Sequence, residues 1–122
     1  MVKKIMIVDD DSDILVTLRA IFENQKYEVL TVDSGKDCIK ELERGFKGIV
    51  LLDLMMPFMD GWETLNEIIS KGLNKDIVLS IITANSSCQK NQSFKPYIYN
   101  FISKPFDLDK LISEINTLVE SK

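Results

Sequence analysis

The stretch from Ile49 to Gly61, I-V-L-L-D-L-M-M-P-F-M-D-G, constrains this chain more than any other. Ile49, Val50, Leu51 and Leu52 form a short unbroken apolar run bounded by turn residues, which suits a strand buried on both faces of a parallel sheet. The run stops at a carboxylate, Asp53. Ligands of open α/β sheets sit beyond the carboxyl ends of the strands, so Asp53 stands where chemistry is usually done, and a carboxylate there is unfavourable unless a cation answers it. Pro57 rules out continuing the strand or entering a helix at once. Asp60, with Glu63 three residues on, reads as the N-cap of a helix that starts at Gly61. Asp53 therefore heads a loop several residues long. A lone Asp would most simply cap such a loop, but it is not alone.

Ile5 to Val8 is a second apolar run that ends in acid, here Asp9, Asp10 and Asp11. Ser12 or Asp11 caps a helix with Ile14, Leu15, Leu18, Ile21 and Phe22 at helical spacing, ending near Asn24. Tyr27 to Val32 reads as a strand. Ser34, with Asp37 three residues later, opens a helix whose Ile39 and Leu42 face inward before Gly45 stops it. The helix from Gly61 to about Lys71 turns Trp62, Leu65, Ile68 and Ile69 inward and ends at Gly72. Ile77 to Ile82 is a fourth buried strand, followed by Thr83 and Ala84. Asn85 to Pro96 has little apolar periodicity and many Ser and Asn residues, so any helix there is expected to be short or frayed. Tyr97 to Ser103 alternates like a fifth strand and leads to Lys104-Pro105. Asp107 then caps a last helix striped by Leu108, Leu111, Ile112, Ile115, Leu118 and Val119. Strands alternating with helices throughout predict a three-layer α/β sandwich with right-handed crossovers.

At 122 residues the chain is expected to be one domain spanning 1–122, with its output on another chain. Lys plus Arg number 15 against 19 Asp plus Glu, a net charge of −4, and no basic stripe appears, which argues against nucleic acid as a partner. The apolar runs are too short to span a membrane and the amino-terminal one too short for a signal peptide, so a cytoplasmic protein is expected. Cys38 and Cys88 stand far apart in a chain without His, which suggests neither a disulfide framework nor a zinc site; Cys38 reads as core and Cys88 as incidental.

One parallel sheet brings its strand ends to one edge, and there the chain offers Asp9, Asp10, Asp53, Thr83 and Lys104, following four different strands. Converging carboxylates repel unless a hard divalent ion joins them, and one or two carboxylates suit Mg²⁺. A lysine and a threonine hydroxyl beside them are the equipment for holding a phosphoryl group on an Asp. Removing one repelling charge, as in Asp10→Asn, is expected to stabilise the metal-free protein by about 1 kcal/mol.

Over essentially its whole length the chain resembles the receiver domains of two-component response regulators. The residues that carry the resemblance are I-M-I-V-D-D-D at 5 to 11, L-L-D-L-M-M-P-F-M-D-G at 51 to 61, I-I-T-A at 81 to 84 and F-I-S-K-P-F at 101 to 106. The resemblance implies a five-stranded, flavodoxin-like, doubly wound sheet in the order 2-1-3-4-5 and a cis Lys104-Pro105 bond. It implies that Asp53 accepts phosphate from a phosphohistidine on a sensor histidine kinase or phosphotransfer protein. It further implies that Asp10 and Asp53 ligate Mg²⁺ directly, the carbonyl of Met55 adds a ligand, and Asp9 holds the ion mainly through water. Lys104 would pair with Asp53 and then with the phosphoryl oxygens. Thr83 would hydrogen-bond the phosphoryl group, the small Ala84 would let backbone N–H groups approach it, and Phe101 would turn inward. Phe101 departs from receivers with Tyr there, because without a hydroxyl it reports the switch only by packing.

Taken singly, each of these has a plainer reading: a solvated acidic turn at Asp9 to Asp11, a strand-end Thr83, a surface Lys104, a core Phe101. Asp11 alone is assigned the plainer role, as a helix cap. The leading expectation is a stand-alone receiver, a signalling switch rather than an enzyme, acting on a downstream protein target as a monomer or weak dimer. The alternatives are an Asp-nucleophile phosphohydrolase, which would need a general acid where Met55 stands, and a receiver-like scaffold that never takes phosphate.

Overall fold

The computed structural model describes residues 3–56, 59–84 and 92–120. In chain order the elements are β1 (Lys3–Val8), α1 (Ser12–Asn24), β2 (Tyr27–Val32), α2 (Gly35–Glu43), β3 (Gly48–Asp53), α3 (Gly61–Ser70), β4 (Ile77–Thr83), a 3-10 helix (Gln92–Tyr97), β5 (Ile98–Ser103) and α4 (Leu108–Glu120). The five strands are parallel and ordered β2-β1-β3-β4-β5, as the resemblance implies. β3 is therefore central, and its last residue, Asp53, lies at the middle of the carboxyl edge.

The apolar runs are unbroken because both faces of the sheet are covered. Met6, Val8, Val50 and Leu52 pack with Cys38, Ile39 and Leu42 of α2 and with Leu65 and Ile68 of α3. Ile5, Ile7, Ile49 and Leu51 face the other way and meet Leu18 and Phe22 of α1 and Leu111, Ile115 and Leu118 of α4. Burial pushes the Cys38 thiol up to about 12, so it behaves as a small apolar side chain.

Each α-helix starts at a side-chain cap. The Asp11 carboxylate accepts from the Asp13 N–H at 2.9 Å, which settles the choice between Asp11 and Ser12 as the α1 cap. Ser34 accepts from Asp37 N–H at 3.1 Å, and Asp60 and Glu63 form a reciprocal capping box. Asp107 accepts from the N–H groups of Asp109 and Lys110. Gly45 and Gly72, with φ of 104° and 69°, end α2 and α3 in the left-handed conformation that glycine adopts freely.

Two expectations are corrected. Tyr97 does not open the fifth strand; it ends the 3-10 helix, because Pro96 has a fixed φ and no N–H and the strand ladder starts only at Ile98. Leu108 does not join the buried stripe of the last helix, being 43% exposed, because it lies one turn ahead of Leu111, the first residue of α4 to reach the core. Of the stretch Asn85 to Pro96, residues 85–91, with Cys88, lie outside the described residues, as do Pro57 and Phe58, and the side chain of Val119 is likewise not described. Among the described residues no helix is long and apolar enough to cross a membrane.

Candidate functional site

Strand register assembles the carboxyl edge. Val8 pairs with Leu52, so Asp9 emerges beside Asp53, and its N–H continues the ladder to the Val32 carbonyl at 3.2 Å. Asp53 pairs with Ile82, and Thr83 pairs with Ser103, so Thr83 and Lys104 follow one residue further on. The Lys104 N–H reaches the Thr83 carbonyl at 2.9 Å, tying β5 to β4 at this end. The Lys104–Pro105 peptide is cis.

Asp9, Asp53 and Thr83 are almost wholly buried, at 1%, 2% and 1% exposure, whereas Asp10 is exposed. One oxygen from each of Asp9, Asp10 and Asp53 lies within 4.8 Å of the others. Lys104 is the cation that answers them. Its Nζ stands 2.8 Å from Asp9 Oδ2 and 3.5 Å from Asp53 Oδ2, so in this state it is bound more closely to Asp9 than to Asp53. The remaining carboxylate oxygens are held by main chain: Asp9 Oδ1 accepts from Asp11 N–H at 2.9 Å and Asp53 Oδ1 from Met55 N–H at 3.1 Å.

Burial pushes the Asp53 carboxyl up to about 6; the Met55 N–H opposes the rise, Asp9 adds to it and Lys104 opposes it again. Burial works to lower Lys104, but its hydrogen bond to Asp9 and the charges of both carboxylates outweigh that and hold it above its ordinary value. The pocket is thus a place where a carboxylate is ionised reluctantly and where further positive charge is favoured. A donor set of three hard carboxylate oxygens fits a small divalent ion such as Mg²⁺.

The other expected residues fall around this centre. Met55 turns its side chain outward, 54% exposed, while its backbone stays at the pocket. Ala84 is exposed at the end of β4, and Phe101 is half-buried, packed against the core that includes Ile81, its partner on β4. Two features went unread in the sequence: the preference of Lys104 for Asp9, and the packing of Gly61 on the backbone of Asp53. The D-G pair at 60 and 61 was legible only as a helix start.

Residues 5–116 match the Response regulator receiver domain family. The chain is 34% identical over 108 residues to the transcriptional regulatory protein ZraR of Escherichia coli K12, covering 88% of this chain and 24% of ZraR. It is 31% identical over 120 residues to the transcriptional regulatory protein CiaR of Streptococcus pneumoniae, covering 96% of this chain and 51% of CiaR. The chain therefore spans about a quarter to a half of the length of these relatives. A CheY-like receiver domain from Methanospirillum hungatei superposes with a TM-score of 0.89 at 36% identity, covering 95% of this chain and 93% of that one. The response regulator TrrA of Thermotoga maritima, solved in complex with Mg²⁺-BeF, gives 0.83 at 28% identity over 95% and 98% of the two chains. The chain belongs to the response regulator receiver domain family, whose members are signalling switches that bind Mg²⁺ at an acidic pocket. Because these relatives are named as transcriptional regulators, the expectation that nucleic acid is no partner draws no support from them.

Proposed function

We propose that residues 1–122 act as one receiver unit in which Asp53 accepts a phosphoryl group from a phosphohistidine of a histidine kinase or phosphotransfer protein. The observation that carries this reading is the convergence of Asp9, Asp10 and Asp53 within 4.8 Å under the ammonium of Lys104. The ionised Asp53 oxygen attacks phosphorus; the new O–P bond forms as the N–P bond breaks, and its electron pair leaves on the imidazole. Lys104 then pairs with the phosphoryl oxygens, the Thr83 hydroxyl donates to one of them, and the small Ala84 leaves the backbone there open to approach. Asp10, Asp53 and the Met55 carbonyl would hold Mg²⁺, with Asp9 beside them in the same acidic cluster. The ion, when bound, neutralises the carboxylates that would otherwise repel an incoming phosphate.

The switch is read by packing. Phe101 moves inward as Thr83 turns toward the phosphoryl group, and β5 presents the change to a downstream protein or a neighbouring domain. The unit works as a monomer or weak dimer in the cytoplasm.

Incubation with acetyl phosphate tests the reading. Wild type is expected to take stoichiometric label that both Asp53→Asn and EDTA abolish. Label surviving in either sinks the assignment, no label in wild type favours a silent scaffold, and many turnovers favour a phosphohydrolase.

A further inference from the structure

Gly61 is the first residue of α3, and it lies against the acceptor rather than beside it. Its N–H donates to the Leu54 carbonyl at 3.0 Å, and a Cβ added there would stand 2.5 Å from Leu54 Cα, 2.6 Å from the Asp53 carbonyl oxygen and 2.8 Å from Leu54 Cδ2. Two of those three atoms are backbone, which cannot swing aside as a side-chain tip can. On its other side the same short segment is held by the Leu54 N–H to the Ile82 carbonyl at 3.3 Å and by the Met55 N–H to Asp53 Oδ1 at 3.1 Å. The segment that aims the Asp53 carboxylate is clamped between β4 and the first turn of α3, and that turn is itself fixed by the Asp60–Glu63 capping box.

We infer that Gly61 is a positioning residue: the absence of its side chain lets the capped end of α3 press on the Asp53–Leu54 backbone and set the carboxylate against Asp9 and Asp10. The inference rests on the phosphoacceptor reading above and adds to it how the acceptor is aimed. A displacement of a few tenths of an ångström at Leu54 passes directly to Asp53, and sites of this kind lose roughly tenfold to a hundredfold in rate for displacements of up to an ångström.

The glycines supply their own controls. Gly45 and Gly72 have open space where a Cβ would go but positive φ, so Gly45→Ala and Gly72→Ala strain the chain without touching the site. The experiment compares these two with Gly61→Ala at a temperature where all are folded. It reads Mg²⁺ affinity by calorimetry, the Met55 amide resonance, and the rate of labelling by acetyl phosphate. Gly61→Ala is expected to shift the Met55 resonance, weaken Mg²⁺ about tenfold or more and slow labelling by a similar factor, whereas the two controls stay at wild-type values. Asp60→Ala, which loosens the cap without adding an atom, is expected to act in the same direction, and Asp60→Asn, which keeps a cap and loses the charge, to restore most of the difference. If Gly61→Ala matches the controls, or if it does not fold and Asp60→Ala matches Asp60→Asn, the positioning role is overturned. Wild type that neither binds Mg²⁺ nor takes label overturns the phosphoacceptor reading instead.

Discussion

The two faces of the sheet and its carboxyl edge are built on opposite terms. On the faces, Val50 and Leu52 look one way and Ile49 and Leu51 the other, each into hydrocarbon supplied by two helices. At the edge, one residue beyond the apolar runs of β1, β3 and β4, the buried groups are Asp9, Asp53 and Thr83, with Lys104 to offset the two buried carboxylates. Burial stabilises on the faces, at about 25 cal/mol per Å² of apolar surface removed from water, and it raises the energy of the charged edge. Stability and function are thus separated along the strands: the faces hold the fold, and the edge is kept ready for a cation.

The largest effect that would break this comparison lies on the faces. Phe22, fully buried and edge-on to Tyr27 with ring centroids 5.3 Å apart, anchors α1. Phe22→Ala is expected to lower unfolding stability by about 3–5 kcal/mol in urea melts, while the protein that remains folded labels at the wild-type rate. A loss of stability under about 1 kcal/mol, or a labelling defect in the folded fraction, would mean that the faces and the edge are not separable as argued.

Next in size is the metal. The unfolded chain has no assembled site, so Mg²⁺ should stabilise wild type by an amount that grows with the logarithm of its concentration, about 2.7 kcal/mol at one hundred times Kd. Phe22→Ala should gain the same increment and Asp53→Asn a smaller one, measured by urea melts in Mg²⁺ and in EDTA. Equal gains in wild type and Asp53→Asn would remove Asp53 from the ion's ligands.

Much of this division was legible in the residues. The unbroken apolar runs Ile5 to Val8 and Ile49 to Leu52, each stopped by Asp, together with the strand-like stretches Tyr27 to Val32 and Ile77 to Ile82, specify both a sheet covered on each face and the edge where its acids collect. Ser34, Asp60 and Asp107 announced their helices because caps act through local hydrogen bonds a few residues long. What stayed hidden depends on contacts between segments distant in the chain. Lys104 chooses Asp9 over Asp53 across 95 positions, and no local pattern encodes that choice. The exposure of Leu108 follows from where α4 first reaches the core, which helical spacing alone does not record. Between Leu79 and Ser80 the pairing with β5 slips, so that Ser80 lies opposite Asn100 and its hydroxyl bonds that amide, a shift that alternation in the sequence does not reveal.

A smaller effect sharpens the comparison at the edge itself. Asp53 has a carboxyl raised from 3.8 to about 6 in the folded protein. The folded state therefore holds a proton that the unfolded chain releases near pH 4, and stability from this group is lost as pH rises from about 4 through about 6. In EDTA, Asp53→Asn should lack that decline and be more stable than wild type near pH 7 by on the order of 1–2 kcal/mol, with the gap closing toward pH 4. A gap that widens toward low pH would show that the carboxylate is already well satisfied by Lys104 and the Met55 N–H, and that the edge is not strained.

The smallest effect is the most discriminating, because it separates burial from mere proximity. Asp10 belongs to the same cluster as Asp9 and Asp53, yet it is exposed while they are buried. If crowding of charge alone made the edge unfavourable, Asp10→Asn would relieve it by the full amount expected of a third repelling carboxylate, about 1 kcal/mol. Solvent around Asp10 screens its repulsion, so in EDTA the gain should fall below about 0.5 kcal/mol, clearly less than that of Asp53→Asn. Exposure does not remove Asp10 from the cluster proposed to hold the cation, so Asp10→Asn should still weaken Mg²⁺ markedly. Calorimetric Mg²⁺ titrations set beside urea melts of the two variants decide the matter. Equal stabilisation by both would show that the number of carboxylates, and not their removal from water, sets the energy of the edge.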